Sequence, residues 1–219
     1  MRELKLSYTE DFRNSFGKDF SILEELINHA LENSYELDHI DTFLEVEFDS
    51  VKNKFVIENM HGVHGLTRNS ERIEFDLSSE PEDWEEYFKS QFAHEYAHTI
   101  FMSYENLKYE SNIENWKHIL LEAHGQHFAK KAYPEINPEW RTKFSKKEIE
   151  EKWPEIREKL NTKIFTESIF NSEELHPWFG YSIAYYIGQE LLQDNDLNTL
   201  PKLEKEDVIK AGDRIFRKD

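Results

Sequence analysis

From Asp19 to Tyr35 (DFSILEELINHALENSY), Phe20, Leu23, Ile27 and Leu31 recur at helical spacing. The segment reads as an amphipathic helix capped by Asp19 or Ser21. The period then changes. In DTFLEVEFDS (41–50), Phe43, Val46 and Phe48 alternate with acidic residues, the mark of a strand with one buried face. KFVIENM (54–60) is a second strand candidate, HGVHGLTRNS (61–70) a Gly-containing polar turn, and ERIEFDL (71–77) a third strand. From SSEPEDWEE the pattern turns helical, with Ser79 as cap and Pro81 in the first turn, and this helix runs to about Tyr104. SYENLKYESN is a polar connection. A second long helix spans about Ile113 to Tyr133. KKEIEEKWPEIREKL (146–160) is charged and helical, interrupted before Pro154; it reads as an exposed amphipathic face, with a mobile lid as the alternative. After His176-Pro177 the run WFGYSIAYYIGQELL reads as a buried helix, and a short helix near Glu204–Ala211 follows. The order of helix, small sheet, then helices predicts an α+β class. No internal repeat or linker breaks the chain. One domain over 1–219 is therefore expected, with an upper part at about 1–104 and a lower helical part at about 105–219.

Composition narrows the partners. The 219 residues include 16 Phe, 10 Tyr and 5 Trp, ample material for a core, and only 7 Gly and 6 Pro. The formal charge of −18 repels nucleic acid and anionic membrane alike, so neither is expected as a partner. Without cysteine there are no disulfides and no thiolate metal ligands. MRELKLSYTEDF has no apolar stretch of signal-peptide type, and no run approaches membrane-spanning length. A cytoplasmic protein is expected.

The candidate chemistry lies in FAHEYAHTIFM (92–102), an apolar run interrupted by His94, Glu95, His98 and Thr99. Buried charges need partners. His94 and His98 are one turn apart and about 40° apart around the helix, so both imidazoles can reach one ion. Glu95, rotated by about 100° from His94, can approach the ion's open side without ligating it. This is the HExxH arrangement of zinc hydrolases: two His ligands and a Glu that takes a proton from the activated water. HExxH is short enough to arise by chance, so its placement matters. Ala93, Ala97 and Phe101 line one side of the helix, and Phe88, Phe92, Tyr96 and Ile100 another, so the helix is buried and the motif with it.

A catalytic zinc wants a third protein ligand. A distal His of the HExxHxxGxxH type is excluded, because Phe101 and Tyr104 hold the Gly and His positions. Glu122, in ILLEAHGQHFAKKAYP, is the preferred third ligand: Gly125 and Ala129 on its own face would permit close approach of the two helices. His118, one turn earlier on that face, competes. Glu105, Glu110 and Glu114 sit in polar surroundings and fit solvated roles.

The chain resembles a bacterial family of predicted zinc-dependent proteases, long filed as a domain of unknown function, with gluzincin-type ligands. Its members pair HExxH with a helix of the form E-G-x-A-E-x-F and a late G-Y-x-x-G-Y segment. They also carry a Gly-Val-x-Gly-hydrophobic-Thr turn before an edge strand. The corresponding stretches are HEYAH (94–98), EAHGQHF (122–128), GYSIAY (180–185) and GVHGLT (62–67), so the resemblance covers about residues 40–195. Ala123 and Ala184 replace glycines of the pattern. Gln126 replaces an acid that, in gluzincins generally, orients a ligating imidazole; its carbonyl oxygen can accept the same hydrogen bond without the charge.

The resemblance implies a zincin-like fold, a small mixed sheet over the HExxH helix followed by a mostly helical C-terminal half. The expected site has one Zn2+ per chain, held by His94, His98 and Glu122, with Glu95 as the base and Gln126 behind the ligands. Tyr181 is the preferred support for a developing oxyanion, because Gly180 beside it permits close backbone approach; Tyr185 and His176 are alternatives. If the fold is zincin-like, ERIEFDL borders the cleft and can bind substrate by strand addition. The expected activity is hydrolysis of peptide or protein substrates. A zinc amidase or other hydrolase, and a non-catalytic zinc-retaining regulator, are the other classes. His61 and His64 lie in the turn before ERIEFDL, with a surface role as open as a substrate role. His29 and His39 read as structural or solvent-facing, and His124 and His127, pointing away from the Glu122 face, are not expected as ligands.

Overall fold

The alternation in residues 43–50 produces a strand, but Leu44 rather than Phe43 takes the first inward position: Leu44, Val46 and Phe48 are all fully buried. This strand is β2 (Leu44–Ser50) in a four-stranded sheet of order β1-β2-β4-β3, with β1 at Leu4–Tyr8, β3 at Val63–Asn69 and β4 at Arg72–Leu77. β1 and β4 flank β2 in parallel, and β3 runs antiparallel to β4, so the sheet is mixed. The computed structural model describes residues 3–35, 37–39, 43–109, 111–164, 168–170, 176 and 178–217. Asp41 and Thr42 of the predicted first strand, Glu110 and Pro177 lie outside them.

The described residues fall into two compact units, Met1–Glu110 with Phe128–Ile136, and Ser111–His127 with Asn137–Asp219. In the first unit, α1 (Glu10–Ser15) and α2 (Ser21–Tyr35) carry the chain from β1 to the parallel β2. Asp19 meets the start of α2, its carboxylate accepting from the Ser21 N–H at 3.0 Å. The sheet's inner face presents Val46 and Phe48 from β2 and Ile73, Phe75 and Leu77 from β4, with Phe48 opposite Phe75 in the register. On it lies α4 (Trp84–Glu105), whose Phe88 ring is 5.0 Å from that of Phe75 and 6.0 Å from that of Phe48. α2 packs on α4 as well. Covered on several sides, α4 is apolar nearly all round, as the sequence requires. Each buried Phe here contributes roughly 1.5–3 kcal/mol of transfer free energy.

Four local expectations are corrected. KFVIENM is not a strand: Lys54–Asn59 is a short helix, α3, because the Asn53 side chain accepts from the Phe55 N–H at 2.9 Å and caps it. HGVHGLTRNS is not a turn: its residues 63–69 are β3, an edge strand, which leaves ERIEFDL (β4) in the sheet interior. Ser79 does not cap α4; its hydroxyl donates to the Phe16 carbonyl at 2.7 Å, and the helix starts after Asp83. Pro154 does not interrupt its helix: α6 (Lys146–Lys159) runs through it, with Ile149, Trp153 and Ile156 buried.

In the second unit, α6 and α7 (Phe179–Leu191) both pack against α8 (Lys205–Phe216). α5 (Asn115–Ala132) belongs to this unit up to His127. Its start is fixed by the buried Asn115, whose amide nitrogen donates to the Lys159 carbonyl at 3.0 Å and whose amide oxygen accepts from the Ile169 N–H at 3.2 Å. Among the described residues no helix is long and apolar enough to cross a membrane.

Candidate metal centre

One helical turn separates His94 from His98 on α4, and their rings lie 4.4 Å apart at 75°. One ligand atom each of His94, Glu95 and His98 falls within 4.8 Å of the others. All three residues are 4–5 % exposed. Two imidazoles and a carboxylate brought together out of water form a donor set suited to a divalent cation, and the nitrogen and oxygen donors without sulfur fit zinc.

Glu95 is gripped by two elements. Gln91, one turn earlier on α4, donates its amide to Glu95 Oε1 at 3.0 Å. Thr67, on β3 and 3 % exposed, lies 2.8 Å from Glu95 Oε2 and 2.9 Å from the Glu95 main-chain oxygen. A hydroxyl has one proton, so Thr67 donates to one of these oxygens at a time. The edge strand packs so tightly that a Cβ on Gly65 would stand 2.5 Å from Glu95 Cγ. Sequence reasoning had Gly65 and Thr67 in a matched stretch without a role, and passed over Gln91. The i−4 spacing of Gln91 from Glu95 was the available signal for the latter.

The neighbouring histidines are partnered at the surface of the first unit. His64 pairs with Asp76, opposite it on β4, at 3.3 Å, and this hydrogen bond raises the imidazole pKa above 6.5. Desolvation opposes that shift, and the Glu95 and Asp76 charges add to it. His61, at φ +53, bonds Asp83 and stacks on Tyr87. His29 reaches the Tyr133 hydroxyl at 3.3 Å, and His39 stacks on Tyr35.

The remaining predicted residues belong to the second unit and are described within it. Glu122 is 6 % exposed, with its Oε1 3.6 Å from His118 Nε2. Gln126 donates its amide to the Tyr181 carbonyl at 2.9 Å. Its Oε1, expected to serve a ligating imidazole, is buried with no hydrogen-bond partner among the described residues. His127 donates to the Tyr185 carbonyl at 2.9 Å and stacks on the Tyr185 ring, so EAHGQHF ties α5 to α7 through two adjacent side chains. Tyr181 stands edge-on to Trp140 and Phe170. The close approach that Gly180 permits is used by Phe170, whose Cδ1 would be 2.7 Å from an added Cβ. Tyr185 is buried beside Arg141, whose guanidinium burial draws down to about 10. His176 is exposed, and its Nδ1 accepts from the Trp178 N–H at 3.2 Å.

A mixed sheet over a buried helix that carries a His-Glu-His donor group defines an α+β protein with a candidate metal centre. The chain belongs to the family described as "Predicted Zn-dependent protease (DUF2268)", whose model matches residues 22–210. No curated protein and no solved structure matches it.

Proposed function

We propose that this protein is a zinc-dependent metallopeptidase that hydrolyses peptide bonds in peptide or protein substrates. The observation that carries the reading is the buried His94–Glu95–His98 group, in which the carboxylate is hydrogen-bonded by Thr67 and Gln91. Membership of a family of predicted Zn-dependent proteases supports it. His94 and His98 are two zinc ligands. Glu122 is the third, with His118 as the competing donor; the spacing of the matched motifs and the burial of Glu122 support this choice. Bound zinc supplies a Lewis acid that polarises the scissile carbonyl and acidifies a water.

The chain's own part follows from Glu95. Its carboxylate accepts the proton of the attacking water and returns it to the leaving amine. Oε1 accepts from Gln91, Oε2 accepts when the Thr67 hydroxyl turns to it, and each oxygen keeps a further lone pair for that proton. An extended substrate would add to the edge strand β3, next to Glu95, instead of to the interior β4. Tyr181 is the first candidate to donate to the developing oxyanion, followed by Tyr185 and His176.

The test is Glu95→Gln. The amide keeps the size of the side chain, but one of its two acceptor oxygens becomes a donor and it has no site for the water's proton. Zinc content and fold should persist while hydrolysis of a peptide library disappears. Undiminished turnover would remove Glu95 from the mechanism, and loss of zinc would make it a ligand.

A further inference from the structure

We infer that Thr67 is a positioning residue for Glu95, and that Gly65 and Gln91 complete the device: the edge strand β3 sets the orientation of the general base. The inference rests on the metallopeptidase reading above for the role of Glu95, but its geometry stands independently. On the inner face of β3, Val63, Gly65 and Thr67 alternate with His64 and Leu66, opposite Leu77, Phe75 and Ile73 of β4. Every one of these β4 partners is buried and apolar. Valine matches threonine in shape and suits an apolar strand face, so a buried hydroxyl there is costly unless it is used. It is used on Glu95, at 2.8 Å from Oε2 and 2.9 Å from the main-chain oxygen.

A glutamate carboxylate has three rotations left after its Cβ is fixed. One donor leaves it free to swing about that contact. Two donors on different oxygens, from different elements, define its plane: Gln91 from α4 on Oε1, and Thr67 from β3 on Oε2 when its one proton points there instead of to the main-chain oxygen. Gly65 acts on the stem. With 2.5 Å from a Cβ to Glu95 Cγ and 3.0 Å to Cδ, any larger residue would displace the side chain toward another rotamer. Ordinary contact begins at 3.4 Å, so the stem would have to give by more than the roughly 0.5 Å of misplacement that productive catalytic geometry tolerates. The stretch GVHGLT thus has one position that admits the stem of Glu95 and another that binds its head.

Two measurements test this on the full-length, zinc-loaded protein. Crystal structures of wild type, Thr67→Val and Thr67→Ser read the geometry without any substrate. The expected result is one Glu95 rotamer in wild type and Thr67→Ser, and a turned or divided carboxylate in Thr67→Val. Steady-state kinetics on a peptide cleaved by wild type reads the consequence. Thr67→Val should lower kcat roughly ten- to a hundredfold, the usual range for groups that orient catalytic residues, with KM, zinc content and Tm near wild type. Thr67→Ser should recover most of kcat, and Gly65→Ala should lose more than Thr67→Val. An unmoved Glu95 with normal kcat in Thr67→Val would overturn the inference. Equal loss of Tm in Thr67→Val and Thr67→Ser would overturn it too, because Thr67 would then be only a packing residue. Should Thr67→Val fail to fold, Gln91→Leu carries the same two measurements at the other oxygen, with the same outcomes deciding. A wild type that cleaves no peptide would sink the metallopeptidase reading alone, and the rotamer comparison would still judge the device.

Discussion

Tyr181 has its ring edge-on to Trp140 and Phe170, so its position is rigid whether or not its hydroxyl is catalytic. That makes Tyr181→Phe a discriminating change. A hydroxyl that serves the oxyanion stabilises the transition state more than bound substrate, and its loss costs about 2.7–4 kcal/mol, roughly a hundred- to a thousandfold in kcat. Zinc content and Tm should hold. A normal rate with altered Tm would return Tyr181 to the core, and Tyr185→Phe and His176→Ala, measured alongside, would show which neighbour has the role. His64 offers a pH test at the same scale. Its bond to Asp76 favours the imidazolium, so its folded pKa lies above the ordinary 6.5. Stability from the pair is therefore fully present below about 6.5, while Asp76 stays ionised, and is lost as pH rises through the raised folded value. An NMR titration should place the His64 midpoint above 6.5 and move it down in Asp76→Asn; a wild-type midpoint at or below 6.5 would contradict the pairing. The reading of single residues from sequence succeeded where contacts follow helix periodicity. His94, Glu95 and His98 meet because of a four-residue spacing on one helix. Thr67 meets Glu95 across 28 residues of sequence, and no local pattern encodes that pairing.

The long helices were legible as elements. α2, α5 and α7 fall close to their expected bounds, and α4 ends where expected but starts only after Asp83. β3 was missed because its inward positions include Gly65 and Thr67, chosen by the demands of Glu95 rather than by alternation of large apolar side chains. β1, with Leu4, Leu6 and Tyr8 on alternate positions, is a short edge strand with no fully buried residue, and it went unread. α6 shows the reverse error, a breaker that does not break. Proline removes one helical hydrogen bond and crowds the preceding turn, at a cost of about 3 kcal/mol in an isolated helix. Tertiary packing offsets this. Trp153 is 1 % exposed, meets the Phe216 ring at 5.4 Å and donates its indole N–H to Asp213 at 2.9 Å, and Arg157 pairs with the same carboxylate at 3.0 Å. Trp153→Ala should therefore cost about 3–5 kcal/mol in urea denaturation. A cost near zero would mean that α6 is detached from α8 in solution, which is the behaviour of a lid.

At the scale of the whole molecule, the resemblance on four short stretches and the family match over residues 22–210 concern the same chemistry, and both turn on whether the chain holds zinc stoichiometrically. The formal charge of −18 complicates the measurement, because a surface this acidic collects divalent cations weakly and without specificity. Weakly held ions exchange out on dialysis, whereas an ion on buried imidazoles and a carboxylate stays. After dialysis, about one zinc per chain is expected by elemental analysis. His94→Ala and His98→Ala should each lose most of it, because each removes one of few protein ligands. Glu122→Ala should do the same if it is the third. Binding to the folded state alone stabilises it by RT ln(1 + [L]/Kd), about 4.1 kcal/mol at a thousandfold excess over Kd. A strong chelator should accordingly lower the Tm of wild type, and the same chelator should leave the Tm of His94→Ala nearly unchanged. Full zinc in Glu122→Ala beside loss in His118→Ala would move the third ligand one turn along α5, to the imidazole 3.6 Å from the Glu122 carboxylate. Zinc retained in His94→Ala and His98→Ala alike would place the metal elsewhere and leave the buried histidines of α4 without the role proposed for them.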